Sequence, residues 1–271
     1  MKLNKLIAIA TISLLSGGIS MAQKALNLED IVAGNVIQTK GIGSMTWLKD
    51  GERYSRLENN KQTGGTDIVA YQAKDNSREV IIPSSLLTDK STGKPIPARS
   101  ISWSADNEKV LIYNNTQRVW RYDTRGDYWV LNLKDGALRQ LGKGMPESSM
   151  MFAKFSPDGT RVAYVSNNNI YVEDIDSGKI TQLTKDGSDT IVNGTFDWVY
   201  EEEFSCRDGF RWSPDGKHIA YWQSDTKGTG VFDIINNVDS IYAKVIHFPY
   251  PKAGTTNLSL IHISAPTRLG M

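Results

Sequence analysis

Four stretches of the chain repeat one pattern, and that repeat limits the fold more than any other feature. They read TWLKDGERY, anchored at Trp47; SWSADNEKVLIY, anchored at Trp103; KFSPDGTRVAYV, anchored at Phe155; and RWSPDGKHIAYW, anchored at Trp212. The anchors lie 56, 52 and 57 residues apart. In each box an aromatic precedes a polar turn, and seven residues after the anchor comes an apolar or aromatic residue: Tyr54, Val110, Val162 and Ile219. Ser-Pro-Asp-Gly in the last two fits a tight turn, with Pro presetting φ and Gly accepting a positive one. Each box therefore reads as strand, turn, strand.

Three boxes are followed by a second hairpin: Glu79 to Ile82 after Asp75-Asn76, Ala137 to Leu141 after Asp135-Gly136, and Ile180 to Leu183 after Ser177-Gly178. The third is the plainest, because NIYVEDIDSGKITQLT alternates apolar and polar residues across its turn. Four short strands per unit of about 50 residues are the arithmetic of a β-propeller blade. The expected fold is all-β, a partial β-propeller of about four blades. Helical signal is scarce: Asn27 can cap a short helix through Val32, ended by Gly34, and Asp197 can cap one or two turns through Glu203. The last repeat shows only its first hairpin, and Leu258 to Met271 continues no blade pattern, so residues 258–271 are expected to be an anomalous tail that is not native.

The longest connection between repeats carries DWVYEEEF, Asp197 to Phe204. A run of three acids is most often a solvated helix face. Long connections in compact folds tend to carry function or to be disordered, and Trp198, Val199, Tyr200 and Phe204 are too apolar for disorder. An ordered, short helical insertion carrying the glutamates is expected.

Residues 1–22 read as a secretory signal: Lys2 and Lys5, a short apolar run from Leu6 to Leu15, and Ser20-Met21-Ala22 before Gln23. The apolar run falls short of the roughly 20 residues that span a bilayer, so export to the periplasm or beyond is expected, with no membrane span after cleavage. Only two of the 31 basic residues and none of the 30 acidic ones lie in that segment, so the remainder carries one net negative charge and offers no basic face for nucleic acid. Cys206 is the single cysteine, which excludes an intrachain disulfide. Its neighbours include one cation, Arg207, and the structural reading is preferred over a catalytic thiol.

DWVYEEEF followed by WSPDGKHIAYW resembles the dipeptidyl peptidase IV family, within the prolyl oligopeptidase superfamily of serine peptidases. VWRYDTRGDYWVLNL, Val119 to Leu133, resembles the segment in which that family carries a substrate-binding arginine directly after an aromatic, which aligns with Arg121; the His-Ser that commonly follows is here Tyr122-Asp123. FPYPKAGTTN, Phe248 to Asn257, resembles the linker into the next blade. The resemblance covers residues 25–257, about the first half of an eight-bladed propeller that in the family sits over a C-terminal α/β-hydrolase domain. That domain is expected to be absent, since the sequence holds no G-x-S-x-G nucleophile elbow. No catalytic residue is nominated, and this chain alone is expected not to hydrolyse peptides.

The resemblance implies that Glu202 and Glu203 grip the free α-amino group of a peptide, while Arg121 holds the carbonyl of the residue beside it. An ammonium offers three donors and is mostly charged near neutral pH, as are glutamates, and each charge-assisted hydrogen bond contributes about 1.5 to 3 kcal/mol. Such a fork measures the distance from the amine to the nucleophile, which is positioning rather than bond breaking. Glu201 is then structural or solvent-facing. Calcium ligation by the three glutamates lacks the spaced acid-loop pattern, and neither a metal nor another cofactor is expected. The resemblance further implies release of N-terminal dipeptides with Pro or Ala second, and a homodimer of the complete protein. The competing reading is a non-enzymatic periplasmic propeller that binds a protein or peptide partner.

Overall fold

The computed structural model describes residues 27–32, 41 and 43–267. The chain divides into two compact units, residues 1–42 and 43–271. In the first, helix α1 (Leu28–Val32) begins where the Asn27 side chain accepts the amide of Asp30 at 2.7 Å. The expected stop at Gly34 and the signal segment 1–22 lie outside the described residues.

The second unit is a series of antiparallel sheets. Sheet one is β1 (Thr46–Trp47), β2 (Arg53–Asn59), β3 (Thr66–Gln72) and β4 (Arg78–Ile82), paired in that order. A small hairpin, β5 (Thr88–Asp89) and β6 (Lys94–Pro95), separates it from sheet two: β7 (Ser100–Trp103), β8 (Lys109–Val119), β9 (Tyr122–Asn132) and β10 (Ala137–Gln140). Sheet three is β11 (Met151–Phe155), β12 (Arg161–Ser166), β13 (Asn169–Asp174) and β14 (Ile180–Gln182). These are propeller blades, each a meander of four strands.

Each box is a hairpin whose anchor faces the residue seven places on. Trp47 pairs with Tyr54, Trp103 with Val110, Phe155 with Val162 and Trp212 with Ile219. The turns are locked locally: Ser104, Ser156 and Ser213 each donate a hydroxyl hydrogen bond to the aspartate two residues on. Those aspartates also accept the amides of Glu108, Thr160 and Lys217. The box tryptophans tie blade to blade, because the Trp103 indole donates to Ser55 Oγ of the preceding blade at 2.9 Å and the Trp212 indole to the Lys154 carbonyl at 3.2 Å.

Between the blades lie three apolar cores. Ile68, Ile82, Val110 and Leu131 join blades one and two; Leu111, Val130, Val162 and Tyr164 join two and three; Ala163, Val172, Phe210 and Ile219 join three and four. Alternation explains the pattern: neighbouring residues on one strand, such as Val110 and Leu111, point to opposite faces and feed different cores. Glu173 is buried in the same layer as a keystone, accepting from Arg139 Nη2 at 3.0 Å, the Gly142 amide at 2.8 Å and the Tyr164 hydroxyl at 3.3 Å.

Blade four departs from this regularity. Its long strand β17 (His218–Asp225) is bordered on one edge by two short strands in line, β15 (Ile191–Asn193) and β16 (Phe210–Trp212). The first strand of the blade is thus split, and the intervening residues loop out of the sheet. A projecting hairpin, β18 (Val231–Asn236) and β19 (Lys244–Pro249), follows β17. Strand β20 (Ser259–Pro266) then returns and pairs along the other edge of β17, from Asp225 opposite Ser259 to His218 opposite Pro266.

That return corrects the reading of the segment after Leu258 as outside the blade pattern. Its half-buried Ile263 and Ala265 pack on the core between blades three and four. The alternation of Ile261, Ile263 and Ala265 with His262 and Ser264 is that of a strand, but the β18–β19 hairpin insertion separates β20 from its partner and hides the pairing.

Candidate functional site

Two glycines form the neck of the loop that splits the first strand of blade four. Gly194, at φ +72°, donates its amide to the Trp222 carbonyl, Trp222 donates back to Gly209, and the Gly209 amide reaches the Gly194 carbonyl. A Cβ on Gly209 would lie 2.9 Å from the Gly194 carbonyl carbon. Backbones approach this closely only without side chains.

From that neck rises helix α2 (Trp198–Phe204). Asp197 caps it, accepting the Tyr200 amide at 3.1 Å, and Ser205 ends it in the left-handed conformation at φ +55°. Phe196 stacks on Tyr200, and Trp198 packs against Phe248 and Tyr250 from the end of β19. Seven residues would not hold a helix alone; the caps and this aromatic packing do.

Opposite α2 stands the tip of the β8–β9 hairpin. Val119 and Tyr122 pair across a two-residue turn with Trp120 at φ +52°. All three residues of this tip meet the α2 loop. Trp120 lies edge-on to Trp198 at 6.4 Å between centroids. The Arg121 Nε forms an ion pair with Glu202 Oε2. The guanidinium of Arg207 lies over the Tyr122 ring, 3.8 Å from its centroid.

The ion pair is lopsided. Arg121 keeps 76% of its side chain exposed, whereas Glu202 keeps 6%, and Glu202 Oε1 is buried without a hydrogen-bond partner. Glu203, the next residue, is exposed. Glu201 is buried, with 7% of its surface exposed. Burial pushes its carboxyl up to about 6, while Arg207 draws it down and Glu202 pushes it further up. Of the two roles expected for Glu201, this excludes the solvent-facing one.

Behind the tip lies a cavity of about 640 Å³ lined by Trp120, Thr124, Phe152, Asp197, Trp198 and Glu201, among others. Its aromatic walls and few carboxylates suit a small ligand with one charged end, and its volume is in the range of such pockets. Among the described residues no cluster of three or more His, Cys, Asp or Glu side chains suits a metal ion, and no helix is long and apolar enough to cross a membrane. Cys206 is partly buried at the foot of α2, with its thiol directed at the Phe204 carbonyl.

The sequence names Arg121, Glu202 and Glu203 for one peptide terminus; the structure brings Arg121 and Glu202 into contact and leaves Glu203 exposed, and it adds Tyr122 and Arg207, which the sequence does not single out for the site. The available signal was the run Trp120-Arg121-Tyr122 itself, in which a cation is flanked by aromatics on both sides.

A β-propeller whose fourth blade is interrupted by a glutamate-bearing helix, with an arginine brought to it from blade two, is a recognisable class of domain. Residues 104–264, more than half of the chain, match the family described as the dipeptidyl peptidase IV N-terminal region, and the chain belongs to that family. Dipeptidyl aminopeptidase B of Saccharomyces cerevisiae is 31% identical over 242 residues, 84% of this chain and 28% of that protein. Prolyl endopeptidase FAP of Mus musculus is 29% identical over 237 residues, 87% of this chain and 29% of that protein. The chain therefore spans less than a third of the length of these relatives. The crystal structure of Porphyromonas gingivalis dipeptidyl peptidase 4 superposes with a TM-score of 0.77 at 24% identity, covering 92% of this chain and 36% of that one, a likeness of fold.

Proposed function

We propose that this chain is the substrate-gating propeller region of an exported serine-type dipeptidyl peptidase. Glu202 and Glu203 take the free α-amino group of a peptide, and Arg121 takes the carbonyl that follows it. The observation carrying this reading is the Arg121–Glu202 ion pair, which sets a cation and an anion from two separate blades side by side. An N-terminal residue presents the matching set, an ammonium next to a carbonyl oxygen, whereas an internal peptide segment lacks the ammonium and gives the glutamates no cation to hold.

On this reading the serine, aspartate and histidine of the reaction belong to a hydrolase domain of the complete protein, as does the pocket that prefers Pro or Ala second from the amine. A homodimer of the complete protein is part of the same proposal. Exposed Val231, Ile235, Val238, Ile241 and Tyr242 on the β18–β19 hairpin support it, since apolar patches of this kind mark contact surfaces.

The test is calorimetric titration of the chain with alanyl-proline amide, free or N-acetylated. The free amine is expected to bind at least roughly tenfold more tightly, the equivalent of about one charge-assisted hydrogen bond. Equal binding of the two forms refutes the clamp and favours a propeller that binds peptides without reading their ends.

A further inference from the structure

We propose that Arg207 and Tyr122 are positioning residues that hold Arg121 against Glu202; this rests on the clamp reading above. Strand β8 and strand β9 form a long hairpin whose ladder shifts register twice before its tip, between Asn114 and Gln117 and again between Gln117 and Val119. Beyond those shifts the ladder holds the tip through the single closing pair Val119–Tyr122, which does not fix the Arg121 side chain. Arg121, mostly in water, would otherwise sample many rotamers, and ordering such a side chain is unfavourable.

Its two neighbours supply the constraint. On one side Trp120 is wedged against Trp198 and Phe248. On the other, Tyr122 lies under the Arg207 guanidinium. The anchorage of Arg207 is firm: Thr195 donates its hydroxyl to the Arg207 carbonyl at 3.0 Å, and the next residue, Asp208, is gripped by Lys154 at 2.5 Å and Arg211 at 2.9 Å. Gly209 of the neck follows directly.

The charge of Arg207 has no direct anionic partner among the described residues. Its Nη1 is buried without an acceptor, and through space it draws the Glu201 carboxyl down. A planar cation in that setting is well suited to a ring face. Successive glutamates of α2 thus serve different arginines, Glu201 toward Arg207 and Glu202 on Arg121, as the 100° turn between adjacent helical residues allows.

The Arg121 Nε–H gives a readout that needs no ligand: its solvent-exchange rate in ¹⁵N-resolved NMR spectra of the chain. Arg207→Met and Tyr122→Leu are expected to speed that exchange roughly tenfold, while Tyr122→Phe, which keeps the ring, stays within about twofold of the parent. The same two disruptive variants should lose the preference for alanyl-proline amide over its acetylated form. Unchanged exchange in Arg207→Met, or equal loss in Tyr122→Phe and Tyr122→Leu, overturns the proposal whatever the titration gives. Altered exchange in a chain whose parent shows no amine preference leaves the positioning pair standing and removes the clamp. Should Arg207→Met fail to fold, Tyr122→Leu against Tyr122→Phe decides alone.

Discussion

Deleting the two halves of the Arg121–Glu202 pair should have unequal consequences. Arg121→Ala leaves a carboxylate whose side chain is 6% exposed and whose other oxygen already lacks a partner. An ionised group stranded in this way costs about 1.5 to 3 kcal/mol. For a domain of this size that lowers the melting temperature by about 4 to 10 °C. Glu202→Gln removes the buried charge itself and returns Arg121 to the water that already covers 76% of it, so the expected cost is under about 1 kcal/mol. The assay is urea unfolding near neutral pH followed by tryptophan fluorescence, with the double variant closing the cycle. The double variant should resemble Glu202→Gln, because the penalty in Arg121→Ala resides in the stranded carboxylate. A Glu202→Gln loss equal to or larger than that of Arg121→Ala refutes the lopsided pair.

Other expectations follow from single features. Because burial raises the Glu201 carboxyl to about 6 from 4.5, the native state holds a proton that the unfolded chain has lost; this contribution is full below about pH 4.5 and fades as pH rises through 6, by at most about 2 kcal/mol. Glu201→Gln should remove that slope, and equal pH dependence of the two proteins in urea melts would contradict it. Gly209→Ala drives a methyl against the Gly194 backbone at the neck of the α2 loop and should cost about 1 to 3 kcal/mol; an unchanged melting temperature would show that the neck is loose. Asp158→Ala deletes the acceptor of the Ser156 hydroxyl and the Thr160 amide in one blade turn, with an expected loss of about 1 kcal/mol in the same urea assay.

What the sequence determined by itself was everything encoded within a few residues. Ser-Pro-Asp-Gly and its variants specify their own turns, a turn fixes the register of the strands it joins, and so the aromatic of each box could be paired with the residue seven places on, as Trp103 is with Val110. Asp197 likewise announced the start of α2 through a cap that acts over three residues. The DWVYEEEF stretch and the Trp-Arg pair marked the chain's family before any contact was known.

Only the tertiary structure decided which distant pieces meet. The split first strand of blade four, the return of β20 beside β17 and the placing of Glu201 in a cavity wall with Trp120, Thr124 and Phe152 all join segments separated by tens of residues. No local propensity records such partners; each meeting is fixed by how whole blades stack their apolar faces. The same stacking carries the tip of blade two to the helix of blade four, and with it Arg121 to Glu202.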